Sequence, residues 1–102
     1  KANEIIFTAG MLKADEALQW GLVNAVVEQA DLLATCETMA QKMLANSPMA
    51  IAAAIRCVNA GFTEGVNGFE VEIEEFGKCF GTPDFKEGTT AFLEKRKPNF
   101  RA

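Results

Sequence analysis

Histidine and tyrosine are absent from the 102 residues, and tryptophan occurs once. Without imidazole there can be no His-based nucleophile–base triad, and zinc loses its commonest nitrogen ligand. The three cysteines, Cys36, Cys57 and Cys79, form no C-x-x-C pair, and their number is odd. That pattern fits neither a disulfide scaffold nor a metal centre, and points to reduced thiols in a cytoplasmic protein. No G-x-G-x-x-G or G-K-[ST] phosphate loop occurs. No window approaches the roughly 18 uninterrupted apolar residues of a membrane span. The net charge of −4 argues against a general nucleic-acid binder, which needs a clustered positive field. The opening residues, "KANEIIFTAG", have neither a secretory pattern nor an initiator Met, which predicts a piece of a longer protein.

What is present reads as one domain's worth of helix over residues 1–102. The composition, 49% hydrophobic and 24% charged, is that of a globular chain. In "KADEALQWG", Asp15 and Glu16 suit a first turn, Gly21 a left-handed stop, and Leu22 can fold back on the last turn. Lys13 stands where Ser or Thr would cap better. "LVNAVVE" is a short apolar run, too isolated to build a sheet.

From about Asp31 to Ala45, Leu32, Leu33, Cys36, Met39, Ala40, Met43 and Leu44 recur at helical spacing. Ser47 then serves as N-cap with Pro48 at the first helical position, opening an alanine-rich helix that ends at Gly61. A third long helix is predicted from near Thr63 to Phe80, with Val66, Phe69, Ile73, Phe76 and Phe80 as a narrow apolar seam. Glu70 and Glu74 fall on its polar side, and Glu74 can pair with Lys78. The acidic run Glu70–Glu75 thus reads as a solvated face, with nothing apolar to raise a carboxyl pKa for acid–base work. After Gly81, Thr82 or Asp84 caps a last helix, and with Asp84 as cap Glu87 completes a capping box. The expectation is all-α: four to five helices in short hairpins, with more apolar stripes than such a chain can hide alone.

The end of the chain, "EGTTAFLEKRKPNF", poses the functional question. If residues 84–96 are helical, Phe92 neighbours Lys95 at i, i+3 and Arg96 at i, i+4. An aromatic face beside a cation suits a nucleotide, with the base on the ring and phosphate on the ammonium. Equally, Phe92 can be core, and basic residues gather at helix C-termini because of the dipole.

Three stretches, "EIIFTAGMLKADEALQWGLVNAVVE", "ANSPMAI" and "EEFGKCFGTPDFKEGTTAFLEKRKPNF", closely resemble the C-terminal third of the crotonase (enoyl-CoA hydratase/isomerase) superfamily. The marks are Ala14, Glu16, Ala17, Gly21, Leu22 and Val23, then Ser47-Pro48, then Asp84 through Arg96. The nearest likeness is to short-chain enoyl-CoA hydratases and 3-hydroxybutyryl-CoA dehydratases. The resemblance implies a hydro-lyase that adds water reversibly to 2-enoyl-CoA, with coenzyme A (CoA) as part of the substrate and no separate cofactor. Its catalytic glutamates and oxyanion N–H groups would lie upstream, so no catalytic residue is expected in this chain. The family's C-terminal helices imply trimer or hexamer contacts, and a non-native dimer for the chain on its own. By motif position, Phe92 and Lys95 are implied to meet the adenine and phosphate-bearing part of CoA. Other readings are a different reaction of the same superfamily, such as enoyl-CoA isomerisation, or an acidic module that binds a partner helix through its phenylalanine seam.

Overall fold

Helix boundaries follow the capping chemistry closely, and among the described residues every regular element is helical. The computed structural model describes residues 1–101, and among these there are six α-helices, one 3-10 turn and no strand. The chain divides into two compact units, residues 1–37 and 38–102.

In the first unit, α1 (Ala2–Thr8) is a helix that the sequence reading did not assign. Lys1 secures its start by pairing with Glu4 at 2.9 Å, and the Lys1 ammonium also lies 4.6 Å from the centre of the Trp20 ring. α2 (Ala14–Gln19) lacks a side-chain cap at Lys13, as expected, but the Glu16 carboxylate accepts the Lys13 backbone N–H at 3.2 Å. Its end is a Schellman motif: Gly21 N–H donates to Leu18 and Leu22 N–H to Ala17, with Gly21 at φ 72°. This is the stop that Gly21 and Leu22 predict. The 3-10 turn Gln29–Asp31 leads into α3 (Leu32–Leu44).

The second unit is organised around α4 (Pro48–Ala60) and α5 (Gly68–Cys79), which pack against each other. Ser47 caps α4 by accepting the Ala50 N–H at 3.0 Å, and Pro48 sits in the first turn. α5 begins at Gly68, not near Thr63. The Thr63 hydroxyl turns back to the Asn59 carbonyl, Gly65 takes a left-handed φ of 76°, and Asn67 caps the helix by accepting the Phe69 N–H. The start at Gly68 permits a close approach, because a Cβ there would lie 3.0 Å from the Gly61 Cα.

The face that α5 turns inward is not its apolar seam. Gly68, Val71, Glu75 and Cys79 are its least exposed residues, whereas Phe69, Ile73, Phe76 and Phe80 are 78%, 72%, 65% and 54% exposed. Glu75 is therefore no part of a solvated face. Its carboxylate accepts hydrogen bonds from Arg56 Nε at 2.8 Å and Lys78 Nζ at 2.8 Å. Lys78 pairs at i, i+3 with Glu75 rather than at i, i+4 with Glu74. Among the described residues only Ala17, Ala53 and Ala91 are buried apolar side chains, and no large side chain is fully buried. The expectation of apolar stripes left uncovered is met.

Candidate functional site

α6 (Pro83–Leu93) carries the residues singled out for ligand binding. Its cap is Thr82, whose hydroxyl accepts the Phe85 N–H at 3.1 Å. Asp84 is thus freed for another partner and accepts a short 2.5 Å hydrogen bond from the Ser47 hydroxyl. Ser47 serves two elements at once, capping α4 and tying its start to the start of α6. Beside them lies an open cleft of about 250 Å³ lined by Ser47, Ala50, Thr82, Asp84, Phe85 and Phe100. A second groove of about 470 Å³ runs along α4 and α5 over Ala50, Ala53, Ala54, Cys57 and Phe76.

Helix α6 ends before the basic run, so the expected helix over residues 84–96 is too long. Lys95 N–H donates to Phe92 at 3.2 Å and Arg96 N–H to Ala91 at 3.0 Å, which is again the Schellman pattern. Here the left-handed position belongs to Lys95, with φ 54°. A residue with a Cβ costs about 1–2 kcal/mol in that conformation, whereas Gly21 fills the matching place in α2 freely. Phe92 and Lys95 do not share a helical face; they share the turn that closes the helix. Phe92 is 83% exposed, which sets aside the core reading for this ring within the chain. Neither residue lines the two clefts.

The three basic residues differ in what holds them. Arg96 is held by two carboxylates: Nη1 and Nη2 donate to the two Glu87 carboxylate oxygens at 2.6 and 2.9 Å, and Nε donates to Glu94 at 2.6 Å. Its Nη1 also reaches the Lys97 carbonyl at 3.3 Å. Glu87 accepts, in addition, the backbone N–H of Asn99 at 2.6 Å. The guanidinium first, and that N–H second, hold the Glu87 carboxyl down at about 2. Arg96 is correspondingly pushed above its ordinary range, by Glu87 and then by Glu94. The ammonium groups of Lys95 and Lys97, by contrast, have no partner among the described residues. Glu87 and Arg96 are nine positions apart and lie on either side of a helix end, so no helical periodicity connects them.

Among the described residues no group of three or more His, Cys, Asp or Glu could hold a metal ion, and no helix is long and apolar enough to cross a membrane.

A family model described as enoyl-CoA hydratase/isomerase matches residues 1–102. Over 97 residues the chain is 44% identical to the short-chain-enoyl-CoA hydratase of Clostridium acetobutylicum, an alignment covering 94% of this chain and 37% of that protein. Over 100 residues it is 40% identical to the crotonyl-CoA hydratase of Syntrophomonas wolfei, covering 97% and 38%. The crystal structure of an enoyl-CoA hydratase from Bacillus anthracis superposes with a TM-score of 0.90 at 32% identity, over 98% of this chain and 39% of that one. The chain thus spans less than two fifths of the length of each of these three relatives.

Proposed function

The chain belongs to the enoyl-CoA hydratase/isomerase family, and from that premise we propose that it is the CoA-closing and subunit-contact part of a longer enoyl-CoA hydratase. The reaction is the reversible addition of water to 2-enoyl-CoA. The acid, base and oxyanion donors belong to the remainder of that enzyme, and this chain alone turns nothing over. Its contribution is made at the end of α6. The observation that carries this reading is the state of Lys95: a cation without a counter-ion, held in a costly left-handed turn that begins at an exposed aromatic ring. Strain of this kind persists where the surrounding structure over-determines it, and it gathers at ligand clamps. Phe92 stacks on the adenine and Lys95 meets a phosphate of CoA. The exposed seam Phe69, Ile73, Phe76 and Phe80 supplies contacts to further copies in a trimer or hexamer.

The test is Lys95→Ala in the full-length enzyme. Loss of one solvent-accessible charge-assisted contact, about 1 kcal/mol, raises KM for crotonyl-CoA about fivefold and leaves kcat within a factor of about two. An unchanged KM removes Lys95 from the site.

A further inference from the structure

We infer that the Glu87–Arg96 pair is a positioning clasp that fixes the turn bearing Lys95, so that two residues making no contact with CoA set the affinity for it. The inference rests on the CoA reading given above and extends it to residues that reading does not use.

The clasp works on both sides of Lys95. Glu94 and Arg96 flank it and pair with each other at 2.6 Å, closing a bracket around the left-handed residue. Arg96 is then pinned to α6 by its two-pronged bond to Glu87, in which two N–H groups meet both carboxylate oxygens. The same carboxylate takes the Asn99 N–H, so one side chain fastens two points of the segment that follows the turn. Pro98 lies between those points and restricts the intervening backbone. Phe100 lies against Gly88, with ring atoms 3.5 and 3.6 Å from where a Cβ would stand. Arg101 continues the stitching by donating to the Leu44 carbonyl.

Arg96 is therefore not a ligand for phosphate, although it stands in the same basic run. Four of its five N–H donors are already directed at protein oxygens. Lys95 is the residue left free, and it has ordinary access to a left-handed turn only if the turn is held. A fixed turn also restricts where the ammonium can range, which lowers the ordering entropy lost when phosphate binds.

The experiment uses the full-length enzyme and calorimetric titration with CoA. Glu87→Gln and Arg96→Lys each raise Kd for CoA about fivefold, because a neutral amide or a single-point ammonium cannot reproduce the fork. In a Lys95→Ala background the same substitutions have no further effect, since there is no ammonium left to position. A crotonyl-pantetheine substrate, which lacks the nucleotide, is turned over by the clasp variants with unchanged kcat/KM; a merely structural role would depress both substrates together. Normal CoA binding by Glu87→Gln and Arg96→Lys alongside a defective Lys95→Ala overturns the clasp and leaves the CoA reading standing. Equal effects of the clasp variants in both backgrounds also overturn it. Normal CoA binding by Lys95→Ala overturns the CoA reading and the clasp with it. Should Arg96→Lys fail to fold, Glu87→Gln, which preserves shape, carries the same comparison.

Discussion

Arg56 on α4 and Glu75 on α5 are joined by two hydrogen bonds from one guanidinium to a single carboxylate oxygen, 2.8 Å from Nε and 2.5 Å from Nη2. This link crosses between the two helices, whereas the Lys78 contact to the other oxygen stays within α5. Glu75 has only 9% of its side chain exposed, so a lost partner is poorly replaced by water.

Arg56→Ala in the full-length protein is accordingly expected to lower the melting temperature, and by more than Lys78→Ala does. Acid acts on the same groups. Lys78 first and Arg56 second hold the Glu75 carboxyl below its ordinary value of 4.5, and Glu87 is held at about 2. Both contributions are complete above the ordinary value and are lost as pH falls through the lower folded-state values. Urea midpoints should therefore fall on acidification below 4.5, with the Glu87 share lost as pH approaches about 2. A Glu75→Gln protein should show a shallower acid limb; one as steep as the wild type would mean that Glu75 titrates alike folded and unfolded.

Two glycines of α5 give opposite expectations. At Gly68 a Cβ would press on the Gly61 backbone, 3.0 Å from Cα and 3.2 Å from N, and neither atom can swing aside. Gly68→Ala should cost about 1–3 kcal/mol, as overpacking does. At Gly77 nothing lies within 4 Å, so Gly77→Ala should gain about 0.5–1 kcal/mol from helix propensity. Denaturant melts of both variants decide the matter. A loss at Gly77 would reveal a neighbour on that face contributed from outside this chain.

Much of this arrangement is legible in the sequence, and what is not legible has more than one physical cause. Ser47-Pro48 and Gly21-Leu22 were legible because a cap or a stop depends on residues a few positions apart. The helix expected from Thr63 begins only at Gly68, because Gly65 takes a left-handed φ and Asn67 caps the first turn, which leaves Val66 outside it. The rest of the apolar seam points outward and is uncovered within the chain, so its spacing does not mark the packed face. The place of Glu75 is hidden for a related reason: the inward face of α5 carries Gly68, Val71, Glu75 and Cys79, a weaker apolar pattern than the outward phenylalanine seam and one interrupted by a carboxylate. Lys95 lay within sight as a candidate ligand but in the wrong conformation, since lysine at a Schellman position carries none of the signal that glycine gives. Ser47–Asp84 and Glu87–Arg96 join distant positions, and no local rule reaches them.

The left-handed lysine offers the sharpest separation of backbone from side chain. Substituting glycine removes the Cβ that makes φ 54° costly and removes the ammonium in the same step. If the turn is retained for its charge, stability and binding should move in opposite directions. Lys95→Gly should stabilise the full-length protein by about 1 kcal/mol, the cost of a Cβ in the left-handed region. It should also weaken CoA binding about fivefold, equivalent to about 1 kcal/mol, as removal of the phosphate contact requires. Urea melts and calorimetric titration on one preparation read both quantities. A protein that gains no stability would show that the neighbouring clasp imposes no strain at Lys95. One that gains stability and keeps its affinity would show that the ammonium is not what holds CoA, and that the turn persists for another reason.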